Sequence, residues 1–200
     1  MQDTQFAKLL IFVNSLIPLG LLLWDTYRKR VGANPLEFVT RTTGMLTIVF
    51  LLLTLSVSPL RRMTGANWLV KFRRMLGLFA FFYGCLHLIT YVAFDRFFKL
   101  TTIPGDVAQR PFIAVGMVAF FLMVPLAITS TNEMVKRLGG KAWSRLHRLT
   151  YAAAAAGVLH YWMLVKADKS MPMTLGFLLV VLLGFRLLAK YSAKTSPASL

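Results

Sequence analysis

The stretch Phe72–Phe94, FRRMLGLFAFFYGCLHLITYVAF, decides the fold of this chain. Beyond its two arginines, Arg73 and Arg74, it is almost wholly apolar, and it matches the roughly 20 residues that a helix needs to cross a bilayer. Lipid cannot hydrogen-bond to backbone groups, so a spanning segment is a helix or part of a closed barrel. The stretch lacks the period-2 alternation of barrel strands. We therefore predict a transmembrane helix that contains His87.

Five further apolar runs flank this stretch. Hydrophobic residues make up 57% of the chain and charged residues only 15%, whereas soluble domains carry about a quarter charged residues. The sequence therefore predicts an all-α, six-helix transmembrane bundle, and we assign residues 1–200 to a single domain. The predicted helices are about 8–27, 43–60, 72–94, 111–130, 143–165 and 173–189.

The basic residues predict how the bundle is oriented. The net charge is +16, but Lys and Arg fall in short loops between apolar runs, which indicates lipid headgroup contact and no nucleic acid partner. The side that carries both termini holds 14 of the 23 Lys and Arg residues, and the opposite side holds five of the seven acidic residues. The positive-inside rule therefore predicts that both termini are cytoplasmic. The single cysteine, Cys85, excludes an internal disulfide and a cysteine-based cluster within one chain.

Two of the three histidines lie at matching depths in the predicted bundle. His87 is roughly 22 Å along the third helix and His160 roughly 26 Å along the fifth, at about 1.5 Å per residue. The two helices run in the same direction, so both side chains reach the outer half of the membrane. A neutral histidine hydrogen-bonded between helices is the ordinary alternative. Facing imidazoles at one depth can instead provide both axial ligands of a haem iron, which predicts an electron-carrying haem b.

The third histidine, His147, cannot share that iron, because it precedes His160 by about 20 Å along the same helix. A second haem would need a ligand near the start of the third helix, where Met75 is available. Arg73 or Arg74 could hold its propionates. In a straight helix His147 and His160 do not share a face, so a second haem stays open.

Several stretches of the chain together resemble a known family. They are GANPLEFVTRTTG (32–44), SPLRR (58–62), GLFAFFYGCLHLITY (77–91), QRPFIAVGM (109–117), LAITST (126–131) and LGGKAWSRLHRLTYAAAAAGVLHYWMLVK (138–166). The pairing of LHRLTY with HYW at this spacing carries most of the resemblance. Over roughly residues 8–190 the chain is similar to the MsrQ (YedZ) family of membrane haem subunits, in the ferric-reductase-like transmembrane superfamily.

The resemblance implies a function as well as a fold. Members are multi-pass proteins of the bacterial inner membrane that take electrons from the quinone pool and pass them through haem b. Their partner is MsrP, a periplasmic molybdopterin enzyme that reduces methionine sulfoxide in envelope proteins, with which they form a heterodimer. FMN is a further cofactor of the family. By position, His87, His147 and His160 match the family's functional histidines. The chain would thus be the electron-transfer subunit of an oxidoreductase, with no substrate-reducing site of its own.

Other functions remain to be weighed against this one. A haem-containing ferric reductase is the main alternative within the superfamily, although the chain shows no nicotinamide domain. A transporter that uses the histidines as a proton relay would be expected to carry buried carboxylates at mid-membrane, and all seven acids lie in or near predicted loops. A purely structural anchor would bind no chromophore.

Overall fold

The computed structural model describes residues 2–95 and 97–195, which form helices and connecting turns with no β-strand among them. The all-α prediction is therefore confirmed. Short 3₁₀ turns at Asn67–Phe72 and Leu100–Thr102 and a π-helical turn at Tyr91–Asp95 link or extend the helices. The α-helices are α1 (Gln2–Tyr27), α2 (Pro35–Thr64), α3 (Arg73–Thr90), α4 (Ile103–Gln109), α5 (Pro111–Ile128), α6 (Asn132–Leu138), α7 (Gly140–Leu146), α8 (Leu149–Leu164) and α9 (Ser170–Thr195).

Five helical segments in the described residues are long and apolar enough to cross a membrane. The predicted count of six is not confirmed, because the predicted helix 143–165 is divided into α7 and α8. With 16 residues, α8 rises about 24 Å, less than the roughly 30 Å of a hydrocarbon core. The five segments are Thr4–Tyr27, Pro35–Thr64, Asn67–Phe94, Pro111–Ile128 and Ser170–Tyr191.

A tightened turn at His147 and Arg148 separates α7 from α8. The backbone N–H groups of Arg148 and Thr150 donate to the carbonyls three residues earlier, at 3.2 and 3.3 Å. Both junction residues keep right-handed φ values of −68°. The chain therefore continues as a helix through a 3₁₀-like turn. Because such a turn is tighter than an α-helical turn, the side chains that follow it point in other directions than they would in a uniform α-helix. His147 lies at this junction and not inside a straight fifth helix.

Capping explains why α2 is longer than the predicted 43–60. Asn34 accepts a hydrogen bond from the backbone N–H of Glu37 at 3.1 Å, and proline occupies the first turn. At the other end Gly65 adopts φ 72°, and its N–H donates to the carbonyl of Arg61, as in a left-handed C-cap. Pro59 lies inside this helix and does not end it. The short helices α4 and α6 occupy segments predicted as loops.

Packing divides the bundle into two main helix pairs, α2 with α3 and α5 with α8. The core between them includes Leu51, Tyr83, Ala153 and Ala154, each at most 2% exposed. The alanines let neighbouring helices approach α8 closely. The first helix is tied to α3 where the Tyr83 hydroxyl donates to the carbonyl of Ser15 at 2.6 Å. Each helix pair contributes one histidine to the bundle interior.

Candidate functional site

His87 of α3 and His160 of α8 meet inside the bundle. Their ring centroids are 6.1 Å apart and their planes are inclined by 76°. Both side chains are partly buried. The structure thus brings together the two histidines that the sequence placed at one depth, although α3 and α8 are distant in the chain.

Each of these imidazoles is held through its δ nitrogen by a backbone carbonyl of a neighbouring helix. The Nδ1 atom of His87 lies 2.9 Å from the carbonyl oxygen of Thr40 on α2, and that of His160 lies 2.6 Å from the carbonyl oxygen of Phe112 on α5. Because a carbonyl only accepts, Nδ1 must carry the proton in both rings, which leaves Nε2 as an acceptor. Metal-binding histidines are usually oriented by such a bond from the other ring nitrogen.

A glycine lies beneath each histidine, four residues after the carbonyl that it contacts. A Cβ atom at Gly44 would come within 3.0 Å of the His87 ring, and a Cβ atom at Gly116 would come within 2.8 Å of Nδ1 of His160. Any other residue would therefore crowd the ring and disturb its contact with the carbonyl. The two supports have the same design, with the carbonyl and glycine on α2 serving α3 and those on α5 serving α8.

The paired rings have the chemistry of a two-ligand axial site. Two metal–nitrogen bonds of about 2.0–2.1 Å, together with two ring radii of about 1.15 Å, would separate imidazole centroids by roughly 6.4 Å, a few tenths of an ångström more than the 6.1 Å between His87 and His160. Among residues 2–95 and 97–195 no cluster of three or more His, Cys, Asp or Glu side chains could bind a metal ion. A haem needs only two protein ligands, because the porphyrin supplies the other four, so the residues present fit this group.

A cavity of about 560 Å³ lies at the opposite end of the bundle, where α2 and α5 end and α3 and α8 begin. This volume is within the range of small-molecule and cofactor sites. His147 lines the cavity, and so do Arg73 and Arg74, which the sequence indicated as cofactor-binding residues. Among the described residues, seven cationic side chains and no carboxylate line it: Arg61, Arg62, Arg73, Arg74, Arg148, Arg186 and Lys190.

The two predicted arginines have only neutral partners in the described residues. Arg73 donates to the hydroxyl of Ser58 at 2.6 Å, and Arg74 donates to the side-chain oxygen of Asn132 at 2.7 Å. The ion pair that the structure records in residues 2–95 and 97–195 joins Glu37 and Arg41, near the start of α2. The positive charge of the cavity is therefore not balanced by neighbouring carboxylates, and an anionic group would be favoured there.

His147 is held differently from the other two histidines. Its ring stacks on Trp143 with centroids 3.8 Å apart, and its Nε2 lies 3.1 Å from the hydroxyl oxygen of Thr129. That hydroxyl already donates to the carbonyl of Pro125 at 2.6 Å, so it accepts the Nε2–H of His147. Met75, considered as a partner for His147, instead lines a separate apolar groove. The structure does not bring a second axial pair together in the part of the chain that it describes.

Comparison with known proteins identifies the family. Residues 40–158 match the family model described as "Ferric reductase like transmembrane component". A relative from Herminiimonas arsenicoxydans, named "Protein-methionine-sulfoxide reductase heme-binding subunit MsrQ", is 53% identical over 178 residues, which are 88% of this chain and 82% of the relative. The chain belongs to the MsrQ family.

Other relatives with the same name are similar to this chain over most of its length. The relative from Ralstonia nicotianae is 52% identical over 156 residues, covering 78% of this chain and 72% of its own length. The relative from Caulobacter vibrioides is 43% identical over 199 residues, which are 98% of this chain and 94% of the relative. The alignment with the latter includes nearly every residue of this chain, so the similarity extends well beyond the histidine motifs.

Sequence reasoning missed three features of these sites. Gly44 and Gly116 lie within the stretches GANPLEFVTRTTG and QRPFIAVGM, but their role depends on a contact between helices. Arg186 is one of the 14 basic residues on the side that carries both termini, and it also lines the basic cavity. Its position inside the apolar run 173–189 was the signal available, because arginines at membrane depth are costly and usually functional.

Proposed function

We propose that this chain binds one b-type haem through His87 and His160 and carries electrons across the bacterial inner membrane. The observation that supports this most strongly is the matched pair of imidazoles, each donating Nδ1–H to a backbone carbonyl, with centroids 6.1 Å apart. When bound, haem supplies reversible one-electron transfer at the iron. The chain's own residues orient the two ligand nitrogens and shield the site with packed helices.

The basic cavity is proposed as the site of a second, anionic cofactor, FMN. Arg73 and Arg74 are suited to a phosphate because a guanidinium presents a planar fork of donors. The stack of Trp143 and His147 offers an aromatic surface at the cavity wall. A second haem ligated by His147 is the alternative occupant. The Nε2–H of His147 is already given to Thr129, which supports FMN over the haem.

The proposed path of electrons starts at the quinone pool and ends at MsrP, the periplasmic methionine sulfoxide reductase of the system. The distribution of Lys and Arg supports cytoplasmic termini. With that orientation the pair His87–His160 would lie in the periplasmic half of the membrane and the basic cavity in the cytoplasmic half. In this arrangement α7 and α8 together make the sixth crossing. The printed names of the relatives, which describe a subunit of a methionine-sulfoxide reductase, support a heterodimer with MsrP.

A ferric reductase is the second candidate, since residues 40–158 match a ferric-reductase-like family model. The outer haem would then pass electrons to chelated iron at the periplasmic face. The two functions share the haem site and differ in the acceptor.

Haem reoxidation in membranes separates these functions. The haem is reduced, and MsrP is then added with a methionine sulfoxide substrate. Fast reoxidation that requires both additions is the result expected. Equally fast reoxidation by ferric chelates, with no response to MsrP, would contradict the MsrP function and favour the ferric reductase.

A further inference from the structure

Arg186 enters the basic cavity from α9, the last helix of the bundle. One terminal nitrogen, Nη1, donates to the hydroxyl of Tyr151 on α8 at 2.5 Å, and the other, Nη2, donates to the carbonyl oxygen of Leu55 on α2 at 2.7 Å. The guanidinium also lies over the Tyr151 ring, 5.0 Å from its centroid. These contacts with two other helices fix the position of the charge.

The hydrogen-bonding capacity of Arg186 is not used up by these contacts. Its Nε atom is buried and has no hydrogen-bond partner among the described residues. A guanidinium carries five N–H donors, and the bonds to Tyr151 and Leu55 account for two. Arg186 as a whole is half-buried, and an arginine that is withdrawn from water is normally paired with a carboxylate or phosphate. Both partners of Arg186 are neutral.

Arg73 and Arg186 line the same cavity from α3 and α9 and lie close enough for their charges to repel. Two like charges that lie close together repel each other, and an anion between them would relieve this repulsion. A simple role in joining α9 to α2 and α8 would explain the bonds to Tyr151 and Leu55. That structural role would not explain why the residue next to Arg73 is a cation.

We propose that Arg186 is a cofactor-binding residue, which together with Arg73 clamps one anionic oxygen group of the cofactor in the basic cavity. The group is a phosphate monoester or a carboxylate, because both offer the paired oxygens that match a guanidinium fork. Tyr151 and the carbonyl of Leu55 act as positioning groups that aim the fork. This proposal rests on the proposed cofactor in the cavity and adds the residue that selects its charged end.

The test compares FMN with riboflavin, which has the same isoalloxazine ring but no phosphate. Equilibrium binding of each flavin to the detergent-purified protein is measured by quenching of flavin fluorescence, and haem per chain is measured in parallel. In Arg186→Gln we expect FMN to bind roughly tenfold more weakly, since charge-assisted hydrogen bonds are among the stronger ones. Riboflavin affinity should not change. The matched control is Arg137→Gln, an exposed cation on α6 outside the cavity, which should keep the preference for FMN.

If the anionic group is a haem propionate and not the FMN phosphate, the number of haems per chain provides the test. If the parent protein holds two haems and no flavin, Arg186→Gln should lose one haem and keep the pair-ligated haem of His87 and His160. If Arg186→Gln fails to assemble the haem held by His87 and His160, Arg186→Lys is used in its place. Lysine keeps the positive charge but lacks the planar fork of donors. In the lysine variant the preference for FMN, or the second haem, should be reduced.

Distinct outcomes contradict the two levels of the proposal. An unchanged FMN-to-riboflavin ratio and unchanged haem count in a folded Arg186 variant would overturn the clamp while leaving the cavity cofactor intact. An equal weakening of both flavins would also overturn it, since it would show a structural role alone. A parent protein that binds neither flavin nor a second haem would instead refute the proposed cofactor itself.

Discussion

Replacement of Gly116 by alanine tests how His160 is held. The new Cβ would lie 2.8 Å from Nδ1 and 2.9 Å from Cε1 of the ring, closer than the 3.0 Å below which something must shift. Ligand distances in metal sites fall within about 0.2 Å of their usual values, so a displaced ring is a poor ligand. The same ring holds the 2.6 Å bond from Nδ1 to the carbonyl of Phe112, which a shift would disturb, and overpacking of this kind costs about 1–3 kcal/mol. We therefore expect Gly116→Ala to lose one axial ligand.

The corresponding change on α2 should be milder. At Gly44 the Cβ would lie 3.0 Å from the His87 ring, where the neighbour must give by only a few tenths of an ångström. Absorbance spectroscopy of the purified variants should show high-spin, five-coordinate haem or reduced haem content, with Gly116→Ala affected more than Gly44→Ala. Gly20→Ala and Gly184→Ala are matched controls, because nothing lies within 4 Å of a Cβ at either position. Low-spin haem at full occupancy in Gly116→Ala would refute the reasoning.

Three further changes test the independence of the two sites and the attachment of α1. His147→Ala should leave the outer haem largely in place, because its ring bonds to Thr129 at the other end of α8; equal haem loss in His87→Ala and His147→Ala would contradict this. Arg73→Gln should weaken FMN binding while sparing the outer haem spectrum, and flavin titration that matches the parent would argue against it. Tyr83→Phe removes the bond to Ser15 and should lower stability by about 1 kcal/mol, measured as an earlier thermal unfolding in detergent; an unchanged midpoint would show that this bond does not anchor α1.

The helices were largely predictable because lipid imposes a simple rule on sequence. A run of apolar residues as long as 111–130 must be helical at membrane depth, and α5 occupies Pro111–Ile128. The division between α7 and α8 was not predictable, since the turn at His147 is made of ordinary helix-compatible residues. What tightens it is a set of backbone bonds to carbonyls three residues earlier, which local propensity does not specify.

The candidate sites were predictable only as far as residue type and depth allow. The level of His87 and His160 followed from the rise per residue of parallel helices, and their 6.1 Å separation agrees with that reasoning. The supporting carbonyls of Thr40 and Phe112 precede their histidines by 47 and 48 residues. Such pairings depend on how helices rotate against each other, and one sequence does not reveal that rotation.

The most direct test of the central proposal is the absorbance spectrum of the purified protein, oxidised and then reduced with dithionite. The paired imidazoles of His87 and His160 predict a low-spin, six-coordinate b-type haem in the parent protein. The spectrum should be lost in both His87→Ala and His160→Ala. A colourless preparation from haem-replete cells, or an unchanged low-spin spectrum in either alanine variant, would contradict haem ligation by this pair.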